Sequence, residues 1–541
     1  LQGKLSQSCP PLEDAFFHRM IICDEQVGWV SRYPPAHSIW LIPGVALGYP
    51  RLMSAVAAFL AVWFLTAAAE RLKISIWFTG TMLIISPYFW LMWGSVLSHT
   101  SGLAATAIML WAYLVWIQDR KQAYAALAGL AWAFLFLNRS YTAVWIALPF
   151  AIDALSRLAW MRDRKQLGGT VLFAICSVLG IAAYLAHNYL LTGNALLPPF
   201  LHYNPTEGPG FHSVNGKEHT LATGWEFLKY NLSELNTNLW GFSGSLLVWL
   251  ALSVYGWRRD LSPLLLSATF LVWIGYTAFW FRGILELPPI YYYETLAFML
   301  LSAGLGLQRL SSLKVWVPRW RKALAAALLT IVILPAAANT FREKARIISK
   351  RTHYTHQFQQ VIRDVPLGSI VVLRGLHKDI LAQNSWNPQG LQSEPLIVRD
   401  VHGVTPLIPH LFPGRPVYLV TGWTPSPAQE LPVKAGIMRD IPALQTHART
   451  GSNHPSAAPP LRSAEAPADR RGKLGFGAKQ YLLPGHYTIQ YRVSATGDPG
   501  EIPGRVDLLD RRRDVILASG EILPDEKSVT LKLKVDEITL A

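Results

Sequence analysis

Charged residues are what this 541-residue chain has least of. Only 15% of its residues are Asp, Glu, Lys or Arg, against about 25% in an ordinary soluble domain. In contrast, 51% are hydrophobic and the mean hydropathy is +0.24. This composition excludes disordered, collagen-like and small disulfide-rich chains. A mean this apolar over the whole length indicates a membrane-embedded block beside soluble sequence.

The signatures of several function classes are missing as well. The sequence has no Walker motif, no GxGxxG after a strand and no HExxH. Its three cysteines show no CxxC or Cys/His zinc spacing, and Cys9 and Cys23 either pair in an extracytoplasmic loop or stay free. The net charge of +15 collects in short loops and forms no basic stripe with aromatics, so we expect no nucleic-acid partner.

Ten apolar stretches lie between residues 51 and 340, most of them near the roughly 20 residues that a spanning helix requires. They cover 51–69, 74–95, 101–118, 122–138, 141–158, 168–190, 241–257, 262–281, 289–308 and 321–339. The short loops between them alternate between basic and nearly uncharged, and the positive-inside rule places the basic set in the cytoplasm. The predicted extracytoplasmic regions are 1–36, the loop near His99, the turn 138–140, the loop 191–240, the loop 281–289 and everything after 340.

The predicted fold is a polytopic α-helical membrane protein with about ten transmembrane helices, an extracytoplasmic C-terminal α/β module and a β-sandwich. Residues 1–50 are expected to end the first extracytoplasmic loop and re-enter the membrane, and residues 51–340 to form the transmembrane domain. The α/β module is expected at 341–449, a linker at 450–470 and the β-sandwich at 471–541. Truncation of the sandwich is an open alternative. We expect the loop 191–240 to lack strong secondary structure. The chain begins without Met or a signal segment, so we also expect its true N-terminus to lie upstream.

Two arginines stand out from the charge pattern. Arg139 and Arg282 are the only cations in the short extracytoplasmic loops. An Arg at such a helix end is suited to hold a phosphate through bidentate hydrogen bonds, although snorkelling to the interface would place it there too. The segment Tyr33-Pro34-Pro35-Ala36-His37 is a second signal, because two prolines make it a rigid approach to the membrane or simply the start of the next helix.

The acids offer further candidates. Asp14, Asp24 and Glu25 lie in the opening loop and could act as a general base, bind a cation or merely be solvated. Glu294 follows three tyrosines near the outer end of its helix, and an intramembrane acid is a functional hypothesis by default. Asp153 lies close to the cytoplasmic end of its helix, where solvation explains it.

Histidines and aromatics are frequent on the predicted extracytoplasmic side. The spacing of the histidines matches no recognised ligand motif, so a divalent metal is a minor alternative and no cofactor is required. The histidines are His99, His187, His202, His212 and His219. The aromatics of the loop 191–240 favour a surface for a lipid tail or sugar ring, although an interfacial belt would look similar.

Four blocks of sequence resemble a known family. Residues 29–37, Trp-Val-Ser-Arg-Tyr-Pro-Pro-Ala-His, resemble the YPPGH-type segment of polytopic GT-C glycosyltransferases, with Ala36 where Gly is usual. Residues 137–142, residues 187–193 and the run Tyr291-Tyr292-Tyr293-Glu294 resemble the bacterial RgtA/B/C/D-like branch, which is related to polyprenyl-phosphate-sugar-dependent protein mannosyltransferases and aminoarabinose transferases. The resemblance covers roughly residues 1–340.

The resemblance implies an enzyme of the bacterial inner membrane. Such an enzyme transfers a sugar, with inversion, from a polyprenyl-phosphate donor to a lipid, glycan or protein acceptor on the extracytoplasmic face. The family's acidic pair would lie upstream of residue 1, which leaves Asp24 and Glu25 as weak in-chain candidates. Donor phosphate and substrate contacts would come from Arg139, Arg282, Tyr33, His37, Tyr292 and Glu294.

Two other classes of protein remain open. A secondary transporter or lipid flippase would predict repeat-related halves, broken helices and acids at the bilayer midplane. A non-catalytic membrane scaffold would present its tail to the cell envelope. An acidic pair in the upstream sequence would favour the enzyme over the scaffold.

Overall fold

The computed structural model divides the chain into two compact bodies. The first holds residues 1–5 and 30–352, and the second holds residues 6–29 and 353–541. The structure describes residues 6, 8–9, 13–16, 21–24, 27–161, 164–214, 216–284, 287–313, 319–374, 395–400, 405, 408–421, 428–430, 452–454, 461–463, 481–482, 485–492, 504–510, 515–522, 528–536 and 539–540.

The first body is helical. In chain order its described helices are α1 Ala36–Ala46, α2 Arg51–Arg71, α3 Ile76–Ile84, α4 Pro87–Trp93, α5 Ser98–Asp119, α6 Gln122–Met161, α7 Arg164–Thr192, α8 Pro199–Tyr203, α9 Leu221–Asn238, α10 Ser245–Tyr255, α11 Ser262–Gly275, α12 Leu296–Ser311 and α13 Arg319–Arg363, the last running past residue 352. Short 3-10 helices cover Pro205–Glu207, Tyr276–Ala278 and Ile290–Thr295.

Several helices are long and apolar enough to cross a membrane. Within the described ranges there are five, namely α2, α5, α6, α7 and the stretch Ile290–Ser311. Helices α3 and α4 make a sixth span if they are taken together, with a bend of 67° between them. The chain is a multi-pass membrane protein, but this count does not confirm the prediction of about ten spans.

Helix α6 contains a reversal of the chain. Arg139 has non-helical backbone angles, φ −148° and ψ 71°. The indole Nε1 of Trp132 donates a hydrogen bond of 2.9 Å to the carbonyl oxygen of Ala143, across residues that a straight helix would separate by about 16 Å. The two halves of α6 therefore pack side by side, as the two separate stretches 122–138 and 141–158 predicted.

Small residues let these helices approach each other closely. A Cβ added to Gly180 of α7 would lie 2.5 Å from the Cβ of Ala133 on α6, and one added to Gly306 of α12 would lie 2.1 Å from the carbonyl oxygen of Leu252 on α10. Such contacts supply the van der Waals packing that holds membrane helices together. Helix α5 is the most enclosed, since nearly every residue from His99 to Trp116 is buried.

The expectation that the loop 191–240 lacks strong secondary structure is wrong. It contains the 18-residue helix α9. The Thr220 side chain accepts a hydrogen bond from the Thr223 N–H and so caps the first turn. Leu228 and Leu235, two turns apart, share a buried face, which stabilises the helix by packing.

The second body contains a four-stranded sheet, two long antiparallel strand pairs and shorter two-stranded pairs. In the sheet, strands Leu396–Arg399, Ile370–Arg374 and Val417–Thr421 lie side by side in parallel, and Gln429–Glu430 adds an antiparallel edge. The long antiparallel pairs are Gly485–Arg492 with Ser528–Val535 and Gly504–Asp510 with Val515–Ile522, and they share one apolar core. The sandwich and the domain boundaries stay predictions. Within the predicted linker, Ser452–His454 pairs with Leu461–Ser463.

The structure decides between a disulfide and free thiols for Cys9 and Cys23, which lie in this body. Cys9 and Cys23 form a disulfide, and Cys176 of α7 is free. The bridge closes a short loop that contains the helix Glu13–Phe16. Ala15 and Phe16 are buried against the strands of the sheet, so the loop belongs to the core of this body.

Candidate functional site

Three turns that the charge pattern placed on one side of the membrane meet in a buried cluster. His99 lies in the first turn of α5, Arg139 at the reversal of α6, and Glu294 in the 3-10 helix before α12. Arg139 Nε lies 2.8 Å from Glu294 Oε1, and His99 Nδ1 lies 3.5 Å from the same oxygen. The Glu294 side chain is fully buried, and those of His99 and Arg139 are 4% and 10% exposed.

The guanidinium of Arg139 has partners on each side. Its Nη1 lies 2.9 Å from His99 Nε2, and its Nη2 donates to the hydroxyl of Tyr276 at 3.0 Å. The ring of Tyr291 lies 5.5 Å away and stacks on that of Tyr276. A guanidinium carries five N–H groups. One on each Nη therefore has no partner in the described part of the chain and can donate to a ligand.

The carboxylate of Glu294 is held mainly by charge. Although the Arg139 contact is short, neither oxygen of Glu294 accepts a well-aligned hydrogen bond from the described residues. A buried carboxylate without hydrogen bonds is costly, because desolvation is only partly offset by one ion pair. The cluster thus has unmet hydrogen-bonding capacity for a further donor as well as for an acceptor.

The sequence of α5 permits this approach at Gly102. A Cβ at that position would lie 2.6 Å from Glu294 Oε1, so only glycine leaves space for the carboxylate. Gly102 follows His99 by three residues, which places both on the same face of α5. This face of α5 therefore sets where the carboxylate lies.

His37 of the Pro-Pro segment joins the neighbouring turn. Its Nε2 lies 2.8 Å from the carbonyl oxygen of Val96, and its Nδ1 lies 2.9 Å from Ser101 Oγ. The amide of Asn138 donates to the same Ser101 oxygen at 3.0 Å. Because a carbonyl only accepts, Nε2 of His37 carries a proton. The Ser101 hydroxyl donates to the Ser98 carbonyl oxygen at 3.0 Å. Partial burial and the nearby Arg139 lower the pKa of His37, so this imidazole is neutral.

The other end of the Pro-Pro segment is held by a different pair. Arg32 forms a buried ion pair with Glu207 of the loop 199–212. Tyr33, the next residue, stays half exposed. Arg282 lies over the ring of Tyr230 on α9, with 4.8 Å from its Cζ to the ring centroid. The described contacts of Arg282 thus differ from those of Arg139.

The described contacts of the other predicted residues do not include Arg139, His99 or Glu294. Tyr292 is buried and packs on Trp273, whereas its neighbour Tyr291 faces Arg139. Asp24 ends a short strand, and Glu25 lies outside the described residues. Their proposed roles, with those of Tyr33 and Arg282, stay predictions.

His219, one of the extracytoplasmic histidines, lies among aromatic rings. His219 stacks between Phe211 and Phe227, and its Nε2 donates to the Thr277 carbonyl at 3.1 Å. Among the described residues, no three His, Cys, Asp or Glu side chains are grouped to hold a metal ion.

Sequence reasoning missed the roles of two residues. The sequence marked His99 only as one of five histidines on the extracytoplasmic side, and it did not mark Tyr276 as a candidate. The signal for His99 was its position in an uncharged turn on the same predicted side as Arg139 and Glu294. No local pattern marks Tyr276, because its partners Arg139 and Thr142 lie far away in the chain.

No protein-family model matches this chain, and no curated protein matches it. It is similar to the crystal structure of ArnT from Cupriavidus metallidurans bound to undecaprenyl phosphate, with 12% identity, 77% of this chain and 89% of that chain covered, and a TM-score of 0.49. It is also similar to ArnT from the same organism in the apo state, with 14% identity, coverages of 72% and 82%, and a TM-score of 0.46.

Proposed function

We propose that this chain is an integral membrane glycosyltransferase that moves a sugar from a polyprenyl-phosphate carrier to an envelope lipid, glycan or protein. The observation that carries the proposal is the buried Arg139, whose guanidinium keeps two N–H groups for a ligand. An enclosed arginine with spare donors suits an anion of planar or tetrahedral oxygens better than a neutral molecule.

The position of the cluster supports a lipid-borne donor. His99, Arg139 and Glu294 lie at helix ends that the positive-inside rule places on the extracytoplasmic side. A polyprenyl phosphate holds its phosphate at that level, with its isoprenoid chain in the bilayer. The reaction then belongs to the outer face of a bacterial plasma membrane, with the C-terminal tail on the same side.

Chemically, the arginine would act on the leaving group. In an inverting transfer the acceptor hydroxyl attacks the anomeric carbon, its proton passes to a base, and the phosphate leaves with the bonding electrons. Arg139 would stabilise the charge that develops on that phosphate. Glu294 is a poor candidate for the base because Arg139 neutralises it. The proton would pass to a base other than Glu294.

The test is sugar transfer by the full-length protein in lipid. A panel of radiolabelled polyprenyl-phosphate sugars is incubated with an envelope-lipid extract, and movement of the label is followed. Arg139→Lys keeps the charge but cannot reach Glu294, His99 and Tyr276 together, so we expect kcat to fall by about 10²–10³. Arg282→Ala should also lower turnover.

A matched control is available on the other side of the membrane. Arg309 lies over Tyr255 as Arg282 lies over Tyr230, but in a predicted cytoplasmic loop. Arg309→Ala should leave transfer unchanged. Full activity in Arg139→Lys would contradict the phosphate assignment.

A second candidate function is a lipid flippase or secondary transporter. The observation that favours it is the broken pair α3 and α4, because transporters build substrate sites from interrupted helices. The same preparation of the protein in lipid distinguishes the transferase from the transporter. Movement of labelled lipid between leaflets without any chemical change would support the transporter, and the absence of both activities would favour a scaffold.

A further inference from the structure

We propose that His99 takes up a proton when a phosphate binds Arg139, so that anion binding at this site is coupled to protonation. The inference rests on the proposed function, since it assumes that Arg139 holds a lipid phosphate. It assigns to His99 the role of a second, inducible donor beside the arginine. The evidence is the hydrogen-bond arrangement of the cluster itself.

The contacts of His99 fix its state without a ligand. Arginine has donors only, so His99 Nε2, 2.9 Å from Arg139 Nη1, is an acceptor and carries no proton. The proton of the neutral ring is therefore on Nδ1, which faces Glu294 Oε1 at 3.5 Å. If the ring were protonated, the N–H at Nε2 of His99 would point at the N–H of Arg139 Nη1, and two donors would face each other. These contacts therefore hold His99 neutral.

A bound phosphate reverses this preference. The pair of Arg139 and Glu294 is neutral overall, so an added phosphate leaves the enclosed cluster with net negative charge. When Nη1 of Arg139 turns to a phosphate oxygen, Nε2 of His99 loses its donor and faces that oxygen lone pair to lone pair. A proton on Nε2 removes the repulsion, supplies a charge-assisted hydrogen bond and restores charge balance. The proton comes from the bulk solution, where the buffer releases it.

Every element packed around His99 contributes to this balance. The groups that face it are Arg139 from α6, Glu294 and Tyr291 from the segment before α12, Tyr276 through its bond to Arg139, and the nearby His37 of α1. His37 is the other group that can gain a proton near neutral pH, but both of its nitrogens are already bonded to Val96 and Ser101. His37→Gln is therefore the control that separates the two histidines.

The experiment measures binding of a short-chain polyprenyl-phosphate sugar to the full-length protein in nanodiscs. This probe is a phosphodiester, which has no proton to lose near neutral pH. Calorimetry in two buffers with different ionisation enthalpies counts the protons taken up, and Kd is measured from about pH 6 to about pH 8. We expect uptake approaching one proton and a Kd that rises up to tenfold per pH unit, because proton and anion binding are linked.

Variants assign the proton. His99→Gln should bind with the weaker affinity of the wild type at high pH and lose the pH dependence, while His37→Gln should keep it. If His99→Gln does not fold, the two-buffer measurement on the wild type still shows whether binding takes up a proton. Tight binding without proton uptake, or an unchanged slope in His99→Gln, would overturn this inference alone. No binding at any pH would overturn it together with the phosphate site.

Discussion

Arg139 and Glu294 form a buried ion pair between the reversal of α6 and the entry to α12, with 2.8 Å between Nε and Oε1. The pair is electrically neutral overall, although in the proposed function it contains the cation for an anionic ligand. A phosphate must therefore compete with a carboxylate for the same guanidinium. This competition sets the affinity of the site and is the basis of the first prediction.

Replacing Glu294 by Gln should weaken the fold and strengthen anion binding. Arg139 would be left buried without its counter-ion, which costs about 3–5 kcal/mol of the free energy of unfolding. The same change removes the competing carboxylate, so the proposed polyprenyl-phosphate ligand should bind more tightly and recover part of the loss. Thermal unfolding in detergent, with and without the lipid, measures both effects.

The exposed pair of Glu226 and Lys229 provides the comparison. Glu226→Gln should change the free energy of unfolding by no more than about 1 kcal/mol. Equal destabilisation by the two variants would show that the Arg139 pair contributes no more than a surface pair. Weaker lipid binding by Glu294→Gln would show that the carboxylate helps to bind the anion.

A methyl group at Gly102 should disturb the site through Glu294. The added Cβ would lie 2.6 Å from Oε1, so the carboxylate must move and Arg139 must follow. We expect a loss of about 1–3 kcal/mol in stability and a weaker affinity for the donor. Gly80→Ala in α3, where the Cβ meets nothing within 4 Å, should leave lipid binding unchanged. Wild-type donor affinity in Gly102→Ala would contradict the predicted displacement.

The ion pair between Arg32 and Glu207 should hold two extracytoplasmic segments together. Both side chains are largely buried, at 8% and 12% exposure, and Asn204 also donates to Glu207. Arg32→Gln or Glu207→Gln should increase cleavage of the loop 199–220 by protease. A double-mutant cycle should give a coupling of about 1–3 kcal/mol.

The outcome of that cycle is compared with the exposed pair of Arg258 and Asp260, for which little coupling is expected. Strictly additive effects of Arg32→Gln and Glu207→Gln would contradict a direct contribution of the pair. The readout is local, so it does not depend on catalytic activity.

His219 should make the loop before α9 sensitive to acid. Burial lowers the pKa of His219 below that of the unfolded chain. The folded loop therefore binds fewer protons, and its stability is complete above the unfolded pKa of about 6.5 and falls as the pH drops below that value. Hydrogen exchange of residues 206–227 should quicken between about pH 7 and about pH 5.

Two substitutions test the assignment. His219→Asn should reduce this pH dependence, whereas His212→Asn, whose ring Nε2 also bonds a carbonyl, should retain it. An unchanged pH profile in His219→Asn would place the titrating group elsewhere.

The sequence by itself determined the membrane block and the singular position of Arg139, and it predicted which helix ends share a side of the membrane. These features are local: hydrophobicity over about 20 residues and the sorting of lysine and arginine between loops can be read along the chain. The alternation of Tyr487, Ile489 and Tyr491 likewise predicted the strand Gly485–Arg492. Helix α9 was missed because its turns are stabilised by burial of Leu228 and Leu235, which composition does not reveal.

Only the tertiary structure decided which groups share the site. Arg139 meets Glu294, His99 and Tyr276 because the reversal of α6 and the packing of α5 against the entry to α12 bring distant turns together. It also gave Tyr291 and not Tyr292 the position beside Arg139, and it placed Arg282 over Tyr230. Hydrophobic patterns fix that a segment is buried, but the partner of a buried charge depends on contacts between residues far apart in the chain. That long-range pairing is the part of the site that no local pattern specifies.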